Sequence, residues 1–245
     1  MPAAVITGGA RGIGRAIAIQ YARDGYDVAI NYRRSADAAV AAAAEVRETT
    51  DSAAAALQAD VSDPAAASAL IEATVERFGD VAHVVNNAGV NEHRYPEELS
   101  PEGFDRVMDT NVNSAFAVSK AALPHLRQHP DREGSIVNLS SRLAFDGADY
   151  ECHYAASKAA IVALTKSLAR AFAPAVRVNA VAPGYVVTDM TDANNSEADK
   201  ERRREAIPVG RLGRPEDVAT AAAYLRDARY VTGETAHVNG GQLMR

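Results

Sequence analysis

The sequence is poor in the residues that form disulfide bonds and metal clusters. Cys152 is the only cysteine among 245 residues, which excludes an internal disulfide and a cysteine-based zinc cluster. His125 and His129 stand four apart, but prolines flank them and no His-Glu-x-x-His motif accompanies them. We therefore interpret both histidines as surface residues, and the sequence predicts no metal site.

The sequence also lacks segments that direct a chain to a membrane or to nucleic acid. No stretch approaches 18 uninterrupted apolar residues, and the N-terminal region has neither the charged part nor the long apolar core of a signal peptide. The 26 Lys and Arg are outnumbered by 32 Asp and Glu, and the arginine run at 202–204 lies between glutamates. We expect a cytoplasmic protein that binds neither membrane nor nucleic acid.

Short apolar runs and helical patterns alternate along the chain, with no linker or internal repeat between them. This alternation predicts an α/β fold: a single Rossmann-fold domain over residues 1–245, with a doubly wound, seven-stranded parallel sheet and helices on both faces. The segment 189–207 is polar and charged, and we expect it to form a mobile lid over the substrate. Strands are predicted at 3–7, 28–30, 53–59, 83–85, 136–139, 176–181 and 232–238, and the main helices at 15–21, 36–50, 101–128, 154–172 and 215–225.

A glycine-rich turn follows the first predicted strand. Gly8, Gly12 and Gly14 have a wider spacing than the usual Gly-x-Gly-x-x-Gly fingerprint. Glycines at a strand-to-helix turn let the backbone approach a pyrophosphate, which then lies at the positive end of the helix. We therefore expect these glycines, with Arg11 and Ile13, to bind a dinucleotide.

The end of the second predicted strand indicates which dinucleotide is bound. An NAD-specific site has an acidic residue there to hold the ribose hydroxyls, about 20 residues beyond the glycines. This sequence has Tyr32, Arg33 and Arg34 instead, and Arg11 could add a third cation for a 2′-phosphate. The pattern favours NADP(H) as the cofactor, with NAD(H) as the alternative. The competing interpretation is that Arg33 and Arg34 bind no phosphate and are simply solvated in a loop.

The ends of the next two strands carry further candidate cofactor residues. Asp60 and Val61 follow the third strand, and Asp60 could accept a hydrogen bond from an adenine amino group or cap the helix that follows. Asn87, Ala88 and Gly89 follow the fourth strand. Their small size allows the cofactor to approach closely.

The segment after the fifth strand carries candidate acid/base chemistry. Tyr154 and Lys158 lie four apart at the start of a helix, so a phenol and an ammonium face the same space. We expect the ammonium to draw the pKa of the phenol down from about 10. Ser140 and Ser141 follow the strand end, and Asn111 interrupts a helical pattern that it does not favour, which hints at function. Tyr-x-x-x-Lys alone also occurs by chance on helices.

These motifs, in this order, resemble those of the classical short-chain dehydrogenase/reductase family over essentially the whole chain. The resemblance implies that Tyr154 donates a proton, Ser141 orients the carbonyl, Lys158 binds the nicotinamide ribose and Asn111 holds a relay water. It also assigns cofactor contacts to the segment after the sixth strand. The motif residues that carry the resemblance and those contacts are Thr7, Gly8, Gly12, Gly14, Asn86, Asn87, Ala88, Gly89, Asn111, Ser141, Tyr154, Lys158, Pro183, Gly184, Val187 and Thr188.

Within the family, the sequence is similar to 3-oxoacyl-[acyl-carrier-protein] reductases and other 3-oxoacyl-thioester reductases, which act on acyl groups carried by acyl carrier protein or coenzyme A. It departs from them at 173–175, which lacks a basic residue for an acidic carrier, and at Asp146, Asp149 and Glu151, which make the approach to the site negative. Sugar, polyol and secondary-alcohol dehydrogenases share nearly the same motifs, and a non-catalytic dinucleotide sensor is a third hypothesis. The resemblance also implies a homotetramer that pairs the helices at 101–128 and 154–172.

Overall fold

A computed structural model describes residues 1–128, 134–188, 191 and 196–244. Its core is a sheet of seven parallel strands in the order β3-β2-β1-β4-β5-β6-β7, which confirms the predicted sheet. The strands are β1 Ala3–Ile6, β2 Asp27–Tyr32, β3 Ala54–Gln58, β4 His83–Asn86, β5 Gly134–Leu139, β6 Val176–Pro183 and β7 Thr235–Val238.

Helices cover both faces of the sheet, as predicted. Apolar side chains of α1, α2 and α9 pack on one face, and those of α3, α5 and α7 pack on the other. Both faces of the central strands are therefore buried, which explains their nearly continuous apolar runs. The helices are α1 Gly12–Arg23, α2 Ala36–Thr49, α3 Pro64–Phe78, α4 Pro101–Met108, α5 Ser114–Leu126, α6 Leu143–Asp146, α7 Cys152–Phe172, α8 Glu197–Glu205 and α9 Pro215–Asp227, with a short 3₁₀ turn at Pro96–Glu98.

The direction of winding reverses at β1. In the sheet, Val5 of β1 pairs with Ala29 of β2 on one side and with Val84 of β4 on the other. The helix that follows β1 therefore packs on one face of the sheet, and the helix α5 that follows β4 packs on the other. Ligands of doubly wound sheets bind in the crevice that opens beyond the carboxyl ends of such strands.

A turn of π-helix, Asp109–Asn113, joins α4 to α5. The three elements together account for most of the helix predicted at 101–128. Asn111, the residue that disfavours a regular helix, lies in this turn and is buried. Single π-turns inside helices are uncommon and frequently mark functional sites.

The predicted lid at 189–207 is described only in part, because residues 189–190 and 192–195 lie outside the described residues. Its second half forms α8. Ser196 and Asp199 close a capping box at the start of this helix, and Ile207 is buried just after its end. Within the described part of the chain, no helix is both long and apolar enough to span a bilayer.

Candidate active site

The glycine turn after β1 is joined to the end of β4 by hydrogen bonds. The Asn87 side-chain amide donates to the carbonyls of Thr7 (2.9 Å) and Gly8 (3.0 Å). In return, the Thr7 hydroxyl accepts from the backbone N–H groups of Asn87 (2.9 Å) and Ala88 (3.0 Å). The two strand ends that flank the reversal point therefore form one rigid unit, and the sequence had not pointed to Thr7 as its bridge.

The turn is packed so closely that its glycines are required. Gly8 and Gly12 have φ values of +61° and +52°, in the left-handed region that favours glycine. A Cβ on Gly14 would lie 2.5 Å from both the Gly8 carbonyl oxygen and the Asn87 amide nitrogen. Because α1 begins at Gly12, its positive end lies at this turn. A glycine turn at a helix N-terminus is the arrangement that fits a pyrophosphate.

A cavity of about 660 Å³ runs along this edge of the sheet; we call it the sheet-edge cavity. It brings together almost all of the predicted site residues, although the sequence separates them by up to 180 positions. Its lining includes the predicted residues Gly8, Arg11, Gly12, Ile13, Gly14, Tyr32, Arg33, Arg34, Asp60, Val61, Asn87, Ala88, Gly89, Ser141, Tyr154, Lys158, Pro183, Gly184 and Thr188.

Two predicted residues lie outside this lining. Val187 is exposed, its N–H donates to the Gly213 carbonyl (3.0 Å), and the neighbouring Val186 lines the cavity instead. Asn111 lies behind the cavity, where it is 2% exposed. The structure therefore places Val186, and not the predicted Val187, in the lining of this cavity.

The basic end of the sheet-edge cavity is partly neutralised by Asp60. The Arg33 guanidinium lies 3.5 Å from the Asp60 carboxylate. Asp60 also accepts a 2.6 Å hydrogen bond from the Ser62 hydroxyl, and this bond holds the pKa of Asp60 below its usual value. The helix after β3 is capped by Asp63, which accepts from the Ala65 N–H (2.9 Å). The alternative role of Asp60 as the cap is therefore wrong.

Two hydrogen bonds hold α7 against the end of β5. The Lys158 ammonium donates to the Leu139 carbonyl (2.8 Å), and the Ser140 hydroxyl donates to the Lys158 carbonyl (2.9 Å). The Lys158 nitrogen lies 5.5 Å from the centre of the Tyr154 ring, and Tyr154 and Ser141 share a hydrogen bond. The phenol, the hydroxyl and the ammonium therefore meet at one end of the sheet-edge cavity.

Burial, rather than charge, dominates the acid/base properties of this group. Burial raises the pKa of Tyr154 to about 12, the Glu151 carboxylate adds to this, and the bond to Ser141 opposes it. Burial also lowers the pKa of Lys158 to about 8. The expectation that Lys158 draws the phenol pKa down is therefore wrong, because loss of solvation and the Glu151 carboxylate raise that pKa. At neutral pH Tyr154 carries the proton that it would donate.

Asn111 fastens the segment after β4 to α7. Its amide donates to the Val90 carbonyl (3.0 Å) and to the Ser157 hydroxyl (3.0 Å), while its carbonyl oxygen accepts from the Val90 N–H (2.8 Å). These bonds explain why an asparagine occupies a helical position that it does not favour. Ser157 had not been singled out from the sequence, although it lies on α7 between Tyr154 and Lys158.

A second cavity, of about 910 Å³, adjoins the first and shares Ser141, Tyr154, Gly184 and Thr191 with it. We call it the outer cavity. Its other walls come from the segment after β4, the connection between β5 and α7, and α8. Arg203 of α8 lines it and stacks on Tyr185, with 4.6 Å between the guanidinium carbon and the ring centre. The serine and the tyrosine therefore stand where two spaces meet.

Comparison with known proteins places this site in a family. A family model described as enoyl-(acyl carrier protein) reductase matches residues 8–242. Among similar proteins, 3-oxoacyl-[acyl-carrier-protein] reductase FabG of Staphylococcus aureus is 42% identical over 246 residues, which cover 98% of each chain. The enzyme of the same name from Vibrio cholerae is 37% identical, over 98% of this chain and 97% of its own.

The fold has solved counterparts at similar coverage. A structure described as short-chain dehydrogenase/reductase SDR:glucose/ribitol dehydrogenase from Brucella melitensis matches with a TM-score of 0.92 and 34% identity, covering all of this chain and 97% of its own. Fold and relatives agree on the class: an NAD(P)-dependent oxidoreductase that interconverts a carbonyl and an alcohol. Within that class, the chain belongs to the short-chain dehydrogenase/reductase family.

Proposed function

We propose that this protein uses NADPH to reduce the keto group of a 3-oxoacyl thioester carried by acyl carrier protein or coenzyme A. The observation that carries the proposal is the position of Ser141 and Tyr154 at the junction of the two cavities. A dinucleotide in the sheet-edge cavity and a substrate in the outer cavity would meet at these side chains. The full-length similarity to enzymes named 3-oxoacyl-[acyl-carrier-protein] reductase supports the choice of substrate.

Four side chains have separate roles in the proposed reaction. A bound nicotinamide would supply the hydride to the carbonyl carbon. The Ser141 hydroxyl orients the carbonyl oxygen, and the Tyr154 phenol stabilises the charge that develops there and then donates its proton. Lys158 binds the nicotinamide ribose. Asn111, held by Val90 and Ser157, positions the relay water that returns a proton to the site.

NADP(H) is the proposed cofactor because the end of β2 carries cations and no carboxylate. Arg33 and Arg34 are exposed at the rim of the sheet-edge cavity, and Arg11 lies in the glycine turn. A 2′-phosphate would compete with Asp60 for Arg33, whose present contact of 3.5 Å is long for a charge-assisted bond. NAD(H), which lacks that phosphate, remains the second cofactor.

A sugar or polyol dehydrogenase is the second candidate function. The outer cavity is lined by polar and charged side chains, among them Asn91, Glu92, Arg94 and Asp149. Hydroxyl groups of a sugar would find hydrogen-bond partners there. The Brucella melitensis protein named glucose/ribitol dehydrogenase has the same fold at 34% identity.

We also propose a homotetramer and a lid. Ala156, Ala159 and Ala163 form an exposed row on α7, and Phe116 of α5 is 47% exposed; small residues in a row let two copies of a helix approach closely. The lid would consist of the segment 189–207, since its described helix α8 borders the outer cavity through Arg203. Light scattering coupled to gel filtration would test the tetramer.

The direct test of the function is the initial rate of NADPH and NADH oxidation with acetoacetyl-CoA, compared with a panel of sugars and simple ketones. Fast NADPH oxidation with the thioester is the expected result. Turnover confined to small ketones, or to a sugar with NADP⁺, would rule out the thioester as substrate and favour the second candidate function. Intact cofactor binding without turnover of any carbonyl would indicate a dinucleotide sensor.

A matched pair of variants tests the cofactor choice. Removing both guanidinium groups in the Arg33→Ala, Arg34→Ala double variant should weaken NADPH binding at least tenfold and leave NADH binding nearly unchanged, since each charge-assisted bond contributes about 1.5–3 kcal/mol. Arg229→Ala, an exposed arginine outside both cavities, is the control. Equal losses for the two dinucleotides would contradict the phosphate-binding role.

A further inference from the structure

The outer cavity carries a polar cluster that the proposed reaction does not use: Asn91, His93 and Glu151. The Glu151 side chain is only 10% exposed. Its carboxylate accepts a 2.9 Å hydrogen bond from the Asn91 amide and pairs with the His93 ring nitrogen at 2.7 Å. The carbonyl oxygen of Asn91 is buried, and among the described residues it has no hydrogen-bond partner. We call these three residues the polar cluster.

The polar cluster stands close to the reacting groups. Glu151 immediately precedes α7, three residues before Tyr154, and its charge helps to raise the pKa of that phenol. Asn91 and His93 belong to the segment after β4, which Asn111 holds against α7 through Val90. All three cluster residues line the outer cavity. With the carbonyl oxygen at Ser141 and Tyr154, a substituent of that carbonyl that extends into the outer cavity therefore shares this space with the cluster.

The polar cluster would disfavour binding of an alkyl chain in this position and favour binding of a polar group. A chain of several methylenes would remove the remaining water from the Glu151 carboxylate and offer no hydrogen bond in return, which is unfavourable for a charged group. A short substituent leaves room for water beside the Glu151 carboxylate, and a hydroxyl group could donate a hydrogen bond to that carboxylate. We propose that the polar cluster determines specificity, so that the enzyme accepts short or hydroxyl-bearing substituents and rejects long alkyl chains.

This inference rests on the proposed function, because it takes the outer cavity as the substrate site. A series of 3-oxoacyl-CoA substrates with four, six and eight carbons tests it. In an apolar pocket each added methylene would raise kcat/KM about fourfold. We expect the opposite order here, with kcat/KM for 3-oxooctanoyl-CoA at least tenfold below that for acetoacetyl-CoA. A rise in kcat/KM along the series would overturn the inference.

Variants of the polar cluster show whether it causes the selectivity. The His93→Leu, Glu151→Leu double variant should raise the eight-to-four-carbon ratio of kcat/KM at least tenfold, whereas Glu151→Gln, which keeps hydrogen-bonding capacity, should shift it less. Glu97→Leu is the control, since Glu97 is exposed on the nearby 3₁₀ turn and lines neither cavity. A folded double variant whose ratio stays within twofold of the wild type would overturn the role of the cluster. If the double variant does not fold, the wild-type series still decides.

The same series measured on ethyl 3-oxo esters separates this inference from the thioester assignment. Reduction of short esters with no reduction of any CoA substrate would refute the thioester proposal while supporting a polar substrate pocket. A preference for long chains among both esters and thioesters would refute the pocket inference and leave the reductase assignment intact.

Discussion

Replacing Gly14 by alanine tests whether the glycine turn and the end of β4 form one packed unit. In a helix, alanine is favoured over glycine by about 0.5–1 kcal/mol, so α1 taken alone would gain stability. The new Cβ, however, would lie 2.5 Å from the Gly8 carbonyl oxygen and from the Asn87 amide nitrogen. The first of these is backbone, and the second already donates two hydrogen bonds. Neither group can move without losing contacts.

Overpacking costs about 1–3 kcal/mol, and a 2.5 Å contact with backbone indicates the upper half of that range, about 2–3 kcal/mol. Subtracting the helix preference leaves a net loss of about 1–2.5 kcal/mol. In a chain of this size, that loss lowers Tm by roughly 2–10 °C. Thermal unfolding followed by circular dichroism measures it, and a titration with NADPH should show weakened binding. Gly103→Ala in α4 is the control, because its Cβ would meet only two side-chain atoms, the tip of Leu99 at 3.2 Å and the Ser100 hydroxyl at 3.5 Å. Equal Tm values for the two variants would refute the reasoning.

Two further predictions concern buried polar groups. Thr7→Val leaves the N–H groups of Asn87 and Ala88 without their acceptor, so urea unfolding should show a free energy of unfolding lower by about 2–4 kcal/mol. The control Thr7→Ser keeps the hydroxyl and should stay within about 1 kcal/mol of the wild type. Equal losses in both variants would exclude the bridging role. Lys158 has a folded-state pKa of about 8, below its ordinary 10.5. Between these two pH values the folded chain binds fewer protons than the unfolded chain. The loss of stability caused by burying the charge therefore fades as pH rises through that window. Lys158→Met should therefore be more stable than the wild type at pH 7, by a margin in Tm that shrinks by pH 10; a margin independent of pH would contradict the lowered pKa.

The fold was predictable because each local pattern agreed with the global arrangement. The apolar runs at β1 and β5 suit strands buried on both faces, and each run ends where polar or small residues begin. The carboxyl ends of parallel strands share one edge, so residues as distant as Gly8 and Lys158 were expected to meet. The structure brings them to the same cavity.

What the sequence could not predict depends on contacts between elements. The raised pKa of Tyr154 follows from burial, which is a property of the packed protein and not of the Tyr-x-x-x-Lys spacing. Thr7 lies in one of the motifs and Ser157 in none, but neither had been given a role from the sequence, because their hydrogen bonds form only when the ends of β1 and β4 and the start of α7 come together. Val186 lines the cavity where Val187 had been predicted, because the exact position of a residue just beyond a strand end is among the least reliable parts of a sequence prediction.

The central claim is that the Tyr154 phenol donates the proton while Ser141 and Lys158 orient substrate and cofactor. The most direct test is the rate of NADPH oxidation by the Tyr154→Phe variant with acetoacetyl-CoA, measured beside its affinity for NADPH. The account predicts an affinity within about twofold of the wild type and a rate at least 100-fold lower, consistent with the contribution of a positioned general acid. A folded Tyr154→Phe protein with a near wild-type rate would contradict it.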